Sequence, residues 1–349
     1  CNPVQVLRPF CIGGLGFHTI WIEMTSISWQ VRLSACVFAM VAVGSLAGAS
    51  ETTPAPIVLE PITIRPSPFP EPVHFEPGPE VAEMVPIVNE DTTGLRFPSG
   101  LTIHGGSKHR TILFTFDDGP SRRTTPRLLD MLDELGIKAL FFVKTESFGR
   151  GNPWEREHAE IVREIVRRGH LVGNHTETHR QLPLLNNAEI QAELALSERK
   201  IEKTIGRTPR LLRPPGGAMS KRVEGLLGEL GYTSVMWALY PGDLEVHTPE
   251  EVVQTFFRVL DRRERETGDL GGIVLMHDTK RHSLNAVPKL VRALQNRNCK
   301  LLERGEELYD IVDDLGYFIP GHEPDQTLEE RQALLVTQTA RHCNTVALR

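Results

Sequence analysis

No block of lysine or arginine interrupts these 349 residues: 39 basic side chains stand against 45 acidic ones, for a formal net charge of −6 and a pI near 6.1. The basic field that would collect nucleic-acid phosphates or anionic lipid is therefore missing, and a neutral or polar partner fits better. Cysteine is scarce too. Of five, Cys1, Cys11 and Cys36 precede the body of the chain, so Cys299 and Cys343 can form at most one bridge there. Two readings stand open for that pair: a bridge formed in an oxidising compartment, or two separate thiols, one in a strand and one in a tail. Residues 54–79 lack any helical or alternating apolar pattern and carry recurrent prolines instead, which reads as an extended spacer or a segment wrapping a domain surface.

What is present is enough apolar residue, 40%, for one large α/β domain of about 200 to 250 residues with extensions. Met24 opens a segment with a single cation, Arg32, then an apolar run over residues 33–47 and the small residues Ala47-Gly48-Ala49. This is the pattern of an export signal within residues 24–49, with a mature start near Ser50 and no membrane span in the mature protein. A periplasmic, cell-surface or secreted location follows. A buried N-terminal helix is the competing reading, but the run has no capped end and a proline-rich tract follows it directly. Leu33-Ser34-Ala35-Cys36 resembles a lipoprotein box, yet it precedes the apolar run, so no lipid is assigned to Cys36. Residues 1–23 are given no function.

The expected organisation is a leader over 1–49, a proline-rich linker over 50–104, a main domain over 105–318 and a tail over 319–349. The main domain announces itself after Gly105-Gly106 with the β-forming run Thr111-Ile112-Leu113-Phe114-Thr115-Phe116. Helical stretches then end at Gly136, Gly169 and Gly231, each followed by a short apolar strand. Ile190, Leu194, Ile201 and Ile205 mark one helix face, and Thr248-Pro249-Glu250-Glu251 offers a capping box to another helix. Alternating strands and helices predict a parallel sheet, closed or nearly closed into a barrel whose strand ends carry the site. Residues 322–349 show little core pattern beyond Leu334-Leu335, leaving a tail, a packing arm or a helix against the barrel as alternatives.

Several strand ends hold chemistry. Asp117 and Asp118 close the first strand; neighbours in a strand point opposite ways, so the two acids are expected to face different partners, one a cation and one a proton. An ordinary solvated Asp-Asp-Gly-Pro turn is the plain alternative. His175 and His179, four apart, are expected on one side of a helical turn, where with one carboxylate they would give a three-ligand site with open positions. Glu177 between them is expected to be a solvated side chain. Arg213 stands before Pro214-Pro215-Gly216, placed to fork onto a carboxylate, and His277 closes the strand Ile273-Val274-Leu275-Met276.

In order along the chain, Thr115 to Gly119, His175 to His179, Arg213 to Gly217 and Leu275 to His277 resemble the signature of the NodB-type polysaccharide deacetylases, carbohydrate esterase family 4. The resemblance spans residues 111–313. It implies a distorted (β/α) barrel with a single catalytic domain and an N-terminal extension, and metal-dependent hydrolysis of an N-acetyl group. It implies Asp118, His175 and His179 as ligands of Zn²⁺, with Co²⁺ an alternative, Asp117 as general base oriented by Arg213, and His277 as general acid oriented by Asp243. Gly216 would offer a backbone oxyanion donor, with Leu275 at the substrate cleft. The chain departs from the family where Tyr240 replaces an aspartate, Leu244 a tryptophan and Gly216 a frequent tyrosine.

The polysaccharide partner so implied is peptidoglycan N-acetylglucosamine, then chitin-like oligosaccharide, then acetylxylan. A non-catalytic glycan binder on the same scaffold and an Fe(II) oxygenase with two histidines and a carboxylate are the rivals; the second lacks a use for the Asp pair, Arg213 and His277. The connection over residues 146–157 either shapes the glycan groove with Trp154 or anchors that tryptophan in the core.

Overall fold

The computed structural model describes residues 88–90, 96–149, 151–319, 322, 324 and 326–347. The predicted leader over residues 1–49, with its export signal at 24–49, and residues 50–87 of the proline-rich stretch lie outside them. Among the described residues no helix is long and apolar enough to cross a membrane.

An antiparallel pair, β1 (Val88–Glu90) and β2 (Arg96–Pro98), precedes the main sheet. The main sheet is built from β3 (Thr102–Ile103), β4 (Gly106–Ser107), β5 (Thr111–Asp117), β6 (Leu140–Val143), β7 (Leu171–Asn174), β8 (Leu211–Leu212), β9 (Thr233–Val235), β10 (Gly271–His277) and β11 (Asp310–Ile311). Pairing runs β3-β9-β8-β7-β6-β5-β10-β4, with β11 beside the start of β5; every pairing but that of β4 with β10 is parallel. Since β3 ends one side of this order and β4 the other, the single stretch 102–107 joins both. Met236 N–H donates to the Ile103 carbonyl and Ile273 N–H to that of Gly105, each at 2.8 Å. The sheet thus curls on itself in the distorted barrel that the strand and helix order predicted.

Helices α1 (Thr125–Leu135), α2 (Pro153–Arg167), α3 (Asn187–Ile205), α4 (Lys221–Glu229), α5 (Pro249–Thr267), α6 (Arg281–Glu303) and α7 (Leu328–Ala347) surround it. Their starts follow local chemistry: α3 and α5 carry full capping boxes, Asn186 with Glu189 and Thr248 with Glu251. α1 ends at Gly136 with φ of 65°, a conformation that costs glycine nothing.

Strand alternation sets what faces where. On β5, Ile112, Phe114 and Phe116 join the helix-packed core, whereas Leu113 belongs to the second cluster with Leu140, Phe142, Leu171, Leu211, Val235 and Ile273. Thr115 and Asp117 share the parity of Leu113, and His277 shares that of Ile273, so the period of two delivers both site residues to one face. Parallel register then sets His277 beside Asp117.

The C-terminal stretch is the helix among the three alternatives. α7 lies against α6 and β11, held by the Cys299–Cys343 disulfide, Cα atoms 5.8 Å apart, and by Arg331 Nη2 on Asp310 Oδ1 at 2.9 Å. Both cysteines sit on helices, so the strand-and-tail alternative does not hold. A helix also replaces the end of the long connection: α2 begins at Pro153, with Asn152 capping Glu155 N–H at 3.0 Å. Trp154 in its first turn is solvent-exposed and does not anchor the core.

Candidate active site and metal centre

Asp117 ends β5 buried, and Arg213, just past β8, is wholly so. Arg213 Nη1 donates to Asp117 Oδ1 at 2.8 Å and to Thr115 Oγ1 at 2.7 Å, while Nε reaches the Val235 carbonyl at 2.8 Å. Phe142 lies under the guanidinium, 4.2 Å from ring centroid to Cζ. Burial pulls the Arg213 pKa down and the Asp117 charge pulls it back. Arg213 therefore meets the carboxylate through Nη1 alone instead of the expected fork, and Asp117 Oδ2 is left 3.7 Å from His175 Nε2.

The two acids keep different main partners, Arg213 for Asp117 and His179 for Asp118, but both open onto the same cleft. His175 Nε2 lies 3.7 Å from Asp117 Oδ2 and 3.7 Å from Asp118 Oδ1. Asp118 has left the strand at φ of 73°, which turns its side chain back beside that of Asp117; the alternation rule stops where the extended backbone stops.

Nor do the histidines ride a helical turn. Residues 175–179 form a loop with Thr176 at φ of 66° and His179 at 61°, an uncommon conformation for either residue. Local bonds hold it: Asn174 Oδ1 accepts from Thr176 N–H at 2.8 Å and from Ser197 Oγ at 2.6 Å, and Thr176 Oγ1 accepts from His179 N–H at 3.1 Å. Glu177, expected in solvent, is buried; it meets Lys200 Nζ at 2.6 Å and the Thr145 hydroxyl. Lys200, 23 residues along the chain on α3, supplies that cation, so the carboxylate serves as a brace for the loop.

Asp118, His175 and His179 bring one donor atom each to within 4.8 Å of one another. His179 Nε2 is 3.2 Å from Asp118 Oδ1. His175 Nδ1–H donates to the Arg213 carbonyl at 2.7 Å, which fixes the tautomer and leaves the Nε2 lone pair for the cluster. Burial lowers the His175 pKa, against the pull of Asp117 and Asp118, which favours the neutral form a metal needs. Two imidazole nitrogens and one carboxylate with open positions suit a divalent ion such as Zn²⁺.

Across the cleft His277 Nδ1 is 3.0 Å from Asp243 Oδ1, while Asp243 Oδ2 accepts from His277 N–H at 2.8 Å and from Ser283 Oγ at 2.6 Å. The His282 ring holds the Asp243 carbonyl at 2.7 Å. Burial alone would lower the His277 pKa, but the Asp243 bond and charge, with Asp117 and Asp118, raise it above the ordinary value. Gly216 takes φ of 63°; Leu244 is exposed and Tyr240 stands edge-on to His277, its hydroxyl 2.7 Å from Glu245. Leu275 is buried in β10.

Asp278 escaped the sequence reading although it adjoins His277. It is buried, accepts from the Thr125 hydroxyl, and crowds Gly119 so closely that a Cβ there would lie 2.1 Å from its Oδ2. Burial pushes its pKa from 3.8 up to about 7. An acid whose folded pKa stands above its unfolded value binds its proton more tightly when folded, so its contribution falls as pH rises from about 4 to about 7. Thermal melts of the metal-free protein at pH 5 and pH 8 should show a Tm gap that narrows in Asp278→Asn; an unchanged gap would exclude Asp278 as the source. Ser283, Thr115 and Asn174 were equally unassigned, and each is recognisable only by the partner it meets.

Residues 104–235 match the family model described as Polysaccharide deacetylase. A chitin deacetylase of Arthroderma benhamiae is 31% identical over 218 residues, 61% of this chain and 56% of that protein. A peptidoglycan-N-acetylglucosamine deacetylase of Bacillus cereus is 25% identical over 55% of this chain and 66% of its own length. The solved chitin deacetylase of Colletotrichum lindemuthianum superposes with a TM-score of 0.53 at 26% identity, over 66% of this chain and 96% of that one. Over residues 104–235 the chain is thus similar to the polysaccharide deacetylases, and its fold resembles that of the solved chitin deacetylase.

Proposed function

We propose that this protein is an exported, metal-dependent N-deacetylase that removes acetyl groups from N-acetylglucosamine units of a cell-wall glycan, peptidoglycan before chitin-like chains. The observation that carries the reading is the pairing of an Arg213-braced Asp117 with the Asp118, His175 and His179 cluster, facing His277 across one cleft. Residues 105–318 are assigned as the catalytic domain, to which the end of the expected linker adds β3 and the buried Phe97 and Ile103. The leader and proline-rich stretch are assigned to export and spacing, which favours a substrate outside the cytoplasm.

Asp118, His175 and His179 would hold a divalent metal, which would supply Lewis-acid polarisation and charge stabilisation when bound. The protein's own groups do the rest. Asp117 Oδ2, left open by Arg213, takes the proton of the attacking water. The Gly216 backbone N–H is assigned to the developing oxyanion. His277 Nε2 delivers a proton to the departing sugar amine while Asp243 holds Nδ1, and acetate leaves.

As a general acid, His277 must be protonated, so turnover is present below its raised pKa and is lost as pH rises through it. Asp243→Asn removes the charge that raises that pKa, and the alkaline limb of the kcat profile should move to lower pH. A limb that stays in place would assign the proton to another group. Mass spectrometry of defined peptidoglycan fragments and chitooligosaccharides tests the function as a whole. Loss of one acetyl group, stopped by a chelator, is expected; metal-loaded protein that binds these glycans yet releases no acetate would leave a glycan-binding module.

A further inference from the structure

Among the described residues Trp154 is the one aromatic side chain that stands mainly in solvent, 63% exposed. It is not a loose surface residue. The Arg122 guanidinium lies 3.8 Å from its ring centroid, and Arg122 is ion-paired with Glu157 in the same helical turn. One face of the indole is thus covered and its orientation held, while the other face is open.

The position of that face ties it to the cleft. Arg122 belongs to the turn that leaves Asp118. The segment after β6 is bonded to both site loops: Lys144 N–H donates to the Gly119 carbonyl at 2.9 Å, Thr145 N–H to Thr176 at 3.2 Å and Glu146 N–H to Glu177 at 2.9 Å. It leads straight to the Asn152 cap and Trp154. Beside the metal cluster itself, the wall positions Gly216 and Leu244 offer no ring, and Tyr240 is turned edge-on to His277. Near the reacting atoms the Trp237 ring is half-buried and engaged with the Arg213 guanidinium, 5.5 Å from its centroid, so the flat surface that stands free in solvent is that of Trp154.

We propose that the open face of Trp154 is a remote glycan subsite, stacking on the axial C–H face of a pyranose in the same neutral chain, beyond the sugar whose acetamide reacts. The proposal rests on the deacetylase reading for its substrate class. Apolar sugar faces and the indole π surface lose water together, and a ring already held by Arg122 gives up little freedom on binding. The subsite makes recognition depend on chain length: a short glycan fills the reacting position and leaves the tryptophan uncovered.

Titration of metal-free protein with a chitin disaccharide and hexamer reads this directly. Trp154→Ala should weaken hexamer binding by about tenfold and leave the disaccharide unchanged, with Trp154→Phe recovering much of the loss. On metal-loaded protein the hexamer KM should rise while kcat holds. Hexamer affinity unaltered in Trp154→Ala, an equal loss on the disaccharide, or no binding by the wild type would each overturn the subsite. Length-selective binding through Trp154 without acetate release would instead keep the subsite and remove the deacetylase reading.

Discussion

Asp117→Asn is expected to lower kcat by about a thousandfold, the scale of a lost general base, while the protein still takes up its metal through Asp118, His175 and His179. The amide keeps an oxygen for Arg213 Nη1, so the geometry of that bond survives, but Oδ2 is exchanged for a donor that cannot accept the water's proton. Steady-state acetate release together with metal content per protein decides it. Full metal occupancy with residual turnover near the wild-type level would move the base elsewhere, and loss of both would make Asp117 a structural support.

Arg213→Met should cost about 3–5 kcal/mol of stability in addition to activity, because it strands a buried carboxylate that has no second cation at hydrogen-bond distance. The methionine also gives up the bonds to Thr115 and to the Val235 and Met236 carbonyls, three further anchors that tie the end of β8 to β5 and to the end of β9. Denaturant unfolding of Arg213→Met, Asp117→Asn and the double variant measures the coupling. The double variant should recover part of the stability and none of the turnover. Additive losses would mean that the two side chains stabilise the fold independently, and the brace on Asp117 would have to be abandoned.

Much of this site was legible because its residues close strands, and strand ends are marked by apolar runs that stop at glycine or proline. Phe114 to Gly119 and Ile273 to His277 carry both the parity and the stop signal, so their placement follows from period two and parallel register. Where the backbone leaves regular structure the reading failed: Asp118, Thr176 and His179 all take positive φ, and no periodicity forecasts that. Glu177 was misjudged for a different reason, since its partners Thr145 and Lys200 come from β6's exit and α3, and burial of a charge is settled by such distant partners. The closure of the sheet by residues 102–107 and the seating of α7 also depend on contacts across long separations. Short strands of two residues and a helix with few buried positions leave little trace in local pattern.

That closing stretch carries a liability. Residues 102–107 serve β9 on one side and β10 on the other through a few backbone bonds, so the two seams share one fastening. A nick or a misfit there releases both together and bares two rows of unpaired amides and carbonyls, the kind of edge along which separate chains join strand to strand. Gly105 sits at the middle of it, with the Trp237 backbone 2.8 Å from where a side chain would begin, so even a methyl group at this position presses on the fastening. Six residues that hold none of the metal cluster thereby guard two strand edges at once, and a substitution among them is expected to favour strand-to-strand association.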